Sequence, residues 1–354
     1  MSLRLFLLGA VLAALLFAGC LGSDQAQTPA PSAPDYNAAL PSPRPISPTT
    51  PTPTYPANIS APSAAHPFEM VFLNLSMGDA TLIQTANQTI LIDTGPAEMA
   101  PRTIRALASR GITKLDLLVL SSNDPAFVGA TPLVLQQFPV DEIWINGLNY
   151  TDDTWGTVRP YLEAGKTKAV SYGDSESWGP LKLEVLNPSK PLILGSSDAD
   201  SIVLKASYGT FCSLLFSDSL AAGASTSDAG TVAGGVDSKI LTSSISVSCP
   251  VLKVSHHGSA NAASFQLLQA AQPSDAILSV GPNPPQNLYP SPTLLRRLVL
   301  RNATIWTTDR LGDITVDSDG AGYTLGSQVA RDVKYGQFIE NVVSRGANYW
   351  APSK

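Results

Sequence analysis

Histidine is scarce in this chain. Three are present in 354 residues, His66, His256 and His257, so chemistry that needs several imidazoles, as catalytic zinc and paired-metal sites often do, has little to draw on. Charge is scarce as well: Asp, Glu, Lys and Arg make up 14%, against the ~25% usual for soluble proteins. Solubility must then rest on Ser, Thr, Asn, Gly and Pro, or on added glycan. There is no basic run and no basic-aromatic patch, and the net charge is −6. Nothing therefore draws the chain to a phosphate backbone, which argues against nucleic acid as a partner. Stretches such as GPAEMAPR make no phosphate cradle, and no nucleophile elbow is present. Internal repeats are absent too. Cysteine is limited to Cys20, Cys212 and Cys249.

What is present begins with MSLRLFLLGAVLAALLFAGC. One positive charge (Arg4) precedes an apolar run too short for a comfortable membrane span, and small residues follow, as in an export signal. FAGC resembles a lipobox, with Phe17 where Leu is commoner, so Cys20 is the expected lipidation site. An uncleaved anchor helix is the alternative. Both readings place the remainder outside the cytoplasmic membrane and tether it there. Residues 21–66 are rich in Pro, Ser, Thr and Ala, cannot bury enough apolar surface to fold, and read as an extended stalk ending at a solvated His66. Acceptor sequences N-x-S/T give Asn58, Asn87, Asn149 and Asn302 as candidate glycosylation sites. A further copy at Asn74 is discounted because it falls in a predicted strand.

From Pro67 strands alternate with helices. FEMVFLNL, TLIQTA, TILIDTG, LDLLVL, EIWIN, KAVSY, LKLEVLN, SIVLKASY, TFCSLLFSD, VLKVS, DAILSV, ATIWTT and DITVD read as strands. LDLLVL is apolar throughout, as in a sheet covered on both faces. Helices are predicted after Pro101, around Pro132–Gln137, and over 262–271 and 292–301. Residues 219–238 are small and read as a flexible insertion. The class is α/β, with one large domain over 67–330 and a C-terminal extension over 331–354. Cys212 and Cys249 lie beside strands expected to be neighbours; they form a disulfide or remain two buried thiols.

FLNLSMGDATLIQT, ILIDTGP, GITKLDLLVLS, SIVLKASYG, LLFSDS, VLKVSHHGS, ILSVGPN and TTDRLGDI occur in an order that resembles the metallo-β-lactamase-like domain of ComEC-type competence proteins and related secreted hydrolases. The resemblance covers roughly Phe68 to Asp317. It implies a four-layer αββα sandwich of two mixed sheets, with metal at one edge held by loops at strand ends.

The family's main metal motif, approximately T-H-x-D/H-x-D-H-x-G-G, falls on SSNDPAFVGA, residues 121–130. Ser122 stands at the first His position, Asp124 keeps a carboxylate, Ala126 replaces the Asp, and Phe127 replaces the second His. Asp218 in LLFSDS falls at the metal-bridging Asp, with Ser217 for the usual Gly. SHHGS is intact, Tyr289 stands where relatives often have His, and Asp93 falls at a residue that supports the metal loop from behind. The donors left are Asp124, Asp218, His256 and His257. These are too few for two ions, whereas one ion (weakly held Zn²⁺, Mn²⁺ or Mg²⁺) is conceivable. The alternatives for the histidines are hydrogen bonds to Asp218 and the emptied loop, or ordinary packing. Asp218 can equally be a capping carboxylate, Asp93 a strand terminator, and Phe127 core. No cofactor is expected. The function implied is a binding or accessory protein with an extracellular ligand or protein partner, or else a reduced single-metal hydrolase of phosphodiesters or other esters.

Overall fold

The computed structural model describes residues 67–162, 165–192, 198–219, 235–281, 289–345 and 349. The signal segment, the stalk, Cys20, Asn58 and most of the small-residue insertion lie outside them.

Apolar runs become strands whose alternate side chains choose between two cores. In β1 (Phe68–Phe72), Phe68, Met70 and Phe72 face one core and Val71 the other. β2 (Thr81–Thr85) and β3 (Thr89–Ile92) follow the same alternation, with Ile83, Ile90 and Ile92 on the first side and Leu82 and Leu91 on the second. Helix α1 (Ala100–Ala108), with Pro101 in its first turn, crosses over to β4 (Leu115–Leu120), which pairs with β3 in parallel. Two short helices follow, α2 (Pro125–Val128) and α3 (Thr131–Gln137), and then β5 (Val140–Ile145), α4 (Asp153–Val158) and β6 (Thr167–Ala169).

The second half supplies β7 (Ser175–Trp178), β8 (Leu181–Asn187), β9 (Val203–Tyr208) and β10 (Phe211–Leu215). After α5 (Gly235–Leu241) come β11 (Val251–Lys253), α6 (Phe265–Ala271), β12 (Asp275–Leu278), α7 (Pro292–Leu300), β13 (Thr304–Thr307) and α8 (Thr308–Leu311). β14 (Ile314–Ser318), β15 (Tyr323–Ser327) and α9 (Val333–Arg345) close the chain.

Two mixed sheets result. One runs β15-β14-β1-β2-β3-β4-β5-β6 and the other β13-β12-β11-β10-β9-β8-β7. They share a core between them, and α1, α3 and α4 cover the outer core of the first sheet. This is the αββα sandwich of two mixed sheets expected from the sequence. The parallel strands β3, β4, β10, β11 and β12 deliver their carboxyl ends to one edge, the usual place for a site in an α/β protein.

Several local readings change. Asn74 lies beyond the end of β1, and its Oδ1 accepts the Ser76 N–H at 3.3 Å, so a bend rather than a strand holds it. Residues 235–238 of the small-residue segment belong to α5. The helix expected from 262 starts at Phe265, because Ser264 caps it by accepting the Leu267 N–H. β7, β15, α4 and α9 are additional. Within the C-terminal extension, Tyr335, Ile339, Val342 and Tyr349 are buried, and α9 packs against α7. Asn87, Asn149 and Asn302 are exposed.

Cys212 of β10 and Cys249 are bonded, with Cα atoms 5.2 Å apart across 37 residues of chain. A loop of that length restricts the unfolded chain by about 3–4 kcal/mol at 25 °C. Replacing both cysteines by Ser is expected to lower the unfolding free energy by about that amount, read from urea titrations of wild type and variant under oxidising conditions.

Candidate functional site

The site edge is built on β3, β4, β10 and β11 and the loops that leave them. Asp93 follows β3 in a left-handed conformation (φ 61°). Its carboxylate accepts the Ser121 N–H at 2.9 Å and the Ser121 hydroxyl at 2.6 Å, which fixes the start of the loop after β4. Further along that loop, Asp124 caps α2 by accepting the Ala126 N–H at 2.7 Å. The Phe127 carbonyl accepts the N–H groups of Thr94 and Gly95, so the loop is sewn to the end of β3. Gly129 is required there: a Cβ would lie 2.7 Å from the Pro125 carbonyl oxygen and 2.8 Å from the Ala97 nitrogen. The Phe127 side chain is fully buried, its ring centroid 5.4 Å from that of His257.

On the second sheet β11 stops at Lys253, and both histidines adopt positive φ, 46° and 51°. Their adjacency is therefore not strand alternation. The turn sends the two rings to different partners. His256 Nδ1 lies 2.8 Å from Asp218 Oδ1, and Nε2 is 3.2 Å from the Tyr289 hydroxyl. His257 is buried, and its Nδ1 donates to the Ser279 carbonyl at 2.9 Å. That bond fixes the tautomer with its lone pair on Nε2. The loop that follows is held from behind by Arg297 of α7, fully buried, whose guanidinium donates to the carbonyls of Ala260, Ala262 and Ala263.

Beneath the histidines lies an ion pair that motif matching passes over. Lys253 and Asp79 are both buried and in direct contact, and Lys253 also donates to the Phe216 carbonyl at 2.9 Å. The Ser279 hydroxyl donates to Asp79 at 3.3 Å. Both residues were in view, inside SMGDA and VLKVS. The signal was a lysine at an interior position of an apolar strand, since lysine is almost never buried unpaired.

Burial, reinforced by Asp79, pushes Asp93 up to about 8, against the opposing bonds from Ser121 and the charge of Lys253. Burial also raises Asp218, to about 6, with His256 pulling the other way and Asp124 and Asp198 adding to the rise. Asp198 is a second carboxylate that sequence reading missed. For His256, burial opposes the charged form but the Asp218 carboxylate outweighs it, and the pKa ends above the ordinary value. Burial takes His257 below its ordinary value, toward the neutral ring.

The four donors retained in sequence are brought to one edge but do not converge. Asp124 is engaged as a helix cap, Asp218 is engaged by His256, and His257 faces an apolar ring. Among the described residues, no three of His, Cys, Asp or Glu are grouped so as to hold an ion. The donor set does not fit a paired-metal centre. Beside the site, Ser76, Met77, Pro96, Glu98, Asp124, Pro125 and Ala126 line an open groove of about 280 Å³.

Sheet order, outer helices and the position of this edge together define a metallo-β-lactamase fold. The chain is similar to ComE operon protein 3 of Bacillus subtilis (strain 168), 25% identical over an alignment of 268 residues that covers 70% of this chain and 32% of that protein. It thus spans about a third of that relative's length. No family model matches the chain. Solved structures with a similar fold include the metallo-β-lactamase fold protein YhfI from Bacillus subtilis. It is 10% identical with a TM-score of 0.44, covering 71% of this chain and all (100%) of that one. Another is MEM-A1, a subclass B3 metallo-β-lactamase from a soil metagenome library. It is 18% identical with a TM-score of 0.37, covering 56% of this chain and 80% of that one.

Replacing Lys253 by Met strands Asp79 as a buried charge beside Asp93. A loss of about 3–5 kcal/mol in unfolding free energy is expected, with much of it recovered in the double variant Lys253→Met, Asp79→Asn. Denaturant titrations of the single and double variants measure both effects. The raised pKa of Asp93 has a definite sign: between pH about 4 and 8 the native state binds a proton the unfolded chain has released, so this group's contribution to stability falls as pH rises through that window. Asp93→Asn, which keeps an acceptor for Ser121, is expected to flatten that fall in the thermal midpoint measured against pH.

Proposed function

We propose that this chain is an extracytoplasmic protein, tethered by its lipidated N-terminus to the outer face of the cytoplasmic membrane, that keeps the metallo-β-lactamase fold without paired-metal hydrolysis. Its role is to bind an extracellular ligand or protein partner at the rim of the old metal edge. The observation that carries this reading is Phe127: an apolar ring lies against His257 at the position where the sequence resemblance places a metal-binding imidazole. An aromatic ring there offers no lone pair and lowers the polarity around any divalent charge. The groove between Met77, Pro96 and Asp124 supplies an open surface with apolar walls and carboxylates from Glu98 and Asp124. The net charge of −6 disfavours a nucleic-acid ligand.

A second reading, a hydrolase with one weakly held ion, is favoured by one feature. Hydrogen bonding of His257 Nδ1 to a backbone carbonyl is how metal-binding histidines are commonly oriented. Asp218 and His257 are the residues that would hold the ion, and it would supply an activated water for attack on an ester.

Metal analysis separates the two. After incubation with Zn²⁺ or Mn²⁺ and dialysis, the purified protein is expected to retain far less than one equivalent. Near-stoichiometric retention, lost in both Asp218→Ala and His257→Ala variants that still fold, would reject the non-catalytic reading in favour of the single-ion hydrolase.

A further inference from the structure

The opposite end of the sandwich carries a second cleft. Register places it far from the site edge: Phe72 pairs with Thr81 near the site, whereas Phe68 pairs with Thr85 at the other end, and Tyr208 closes β9 opposite Leu181. Three hairpin turns converge there, those of β2–β3, β7–β8 and β9–β10. Thr85, Ala86, Asn87, Gln88, Trp178, Gly179, Pro180 and Tyr208 line an open cleft of about 260 Å³. That is just below the usual range of small-molecule pockets, which starts at about 300 Å³.

We propose that this cleft binds a neutral saccharide. None of its lining side chains carries a charge, so it has nothing to hold a phosphate, a carboxylate or an ammonium group. What it offers is the partly buried indole of Trp178, the edge of Tyr208, and the carboxamides of Asn87 and Gln88 at the rim. An indole accepts the C–H face of a pyranose ring, while amides exchange hydrogen bonds with hydroxyl groups in both directions. The platform is rigid. Tyr208 stacks on Phe68 at 5.2 Å between ring centroids, and Trp178 packs on the inter-sheet core. The β2–β3 turn is fixed by Thr85 Oγ1, which accepts the N–H groups of Asn87 and Gln88. Gly209, at φ 60°, approaches Gly320 so closely that a Cβ would sit 2.5 Å from its carbonyl oxygen, which keeps the turn beneath Tyr208 tight. A preformed site of this kind orders little on binding and so loses little affinity to entropy.

The test uses the full-length protein, titrated calorimetrically with neutral oligomers of glucose, of mannose and of N-acetylglucosamine, each up to its solubility limit. Saturable binding of at least one is expected, unchanged between low and high salt because no charge takes part. Trp178→Ala should weaken it by about tenfold or more, and Trp178→Phe, which keeps a ring, by less. Since Trp178 also packs on the core, Asn87→Ala at the exposed turn serves as a second variant: it too should weaken binding while leaving the thermal midpoint in place. Failure of all three oligomers to bind overturns the proposal, as does undiminished binding in folded Trp178→Ala and Asn87→Ala proteins. A covalent glycan found on Asn87 by mass spectrometry of the native protein, filling the same space, overturns it as well. None of these outcomes depends on metal content at the other edge.

Discussion

Lys253 holds the two sheets in register where their strands run out. Its ammonium group reaches from β11 of one sheet to Asp79 in the loop joining β1 and β2 of the other, and to the Phe216 carbonyl at the end of β10. A buried cation is tolerable only with such partners, and the partners in turn are fixed by it. Asp93, close enough to Asp79 to feel its charge, stays protonated rather than adding a second anion, and through Ser121 it positions the loop that carries Phe127. The upper pair, Asp218 and His256, sits above this layer. Two layers of paired side chains, Lys253 with Asp79 and His256 with Asp218, therefore meet where the strands end.

The sequence made the strands of the interior readable, because runs such as LDLLVL and the alternation in TLIQT and TILI carry their burial in their composition. The order of short motifs along the chain carries the metallo-β-lactamase arrangement of those strands. Elements with little to bury escaped notice. β15 reads YTLGS and β7 reads SESW; neither has a fully buried residue, so no apolar period marked them. Helix α9 lies within the C-terminal extension and turns only part of its surface to the core.

At the site, residue types were legible but their use was not. Asp124 before Pro125 can be a ligand or a helix cap, and only the 2.7 Å bond to the Ala126 N–H decides for the cap. The paired histidines are adjacent in sequence, yet two successive left-handed residues separate their rings, and backbone handedness at non-glycine positions has no sequence signature here. Arg297 shows the limit most clearly. It lies in an unremarkable helix sequence, LLRRLVL, next to a second arginine, and nothing local says that this one is buried against three carbonyls.

Phe127 constrains what can change at this edge. Its ring is fully buried against His257, so a lone exchange for a polar side chain would bury a group without a partner. Variation at this position is therefore tied to compensating changes in the residues that touch the ring.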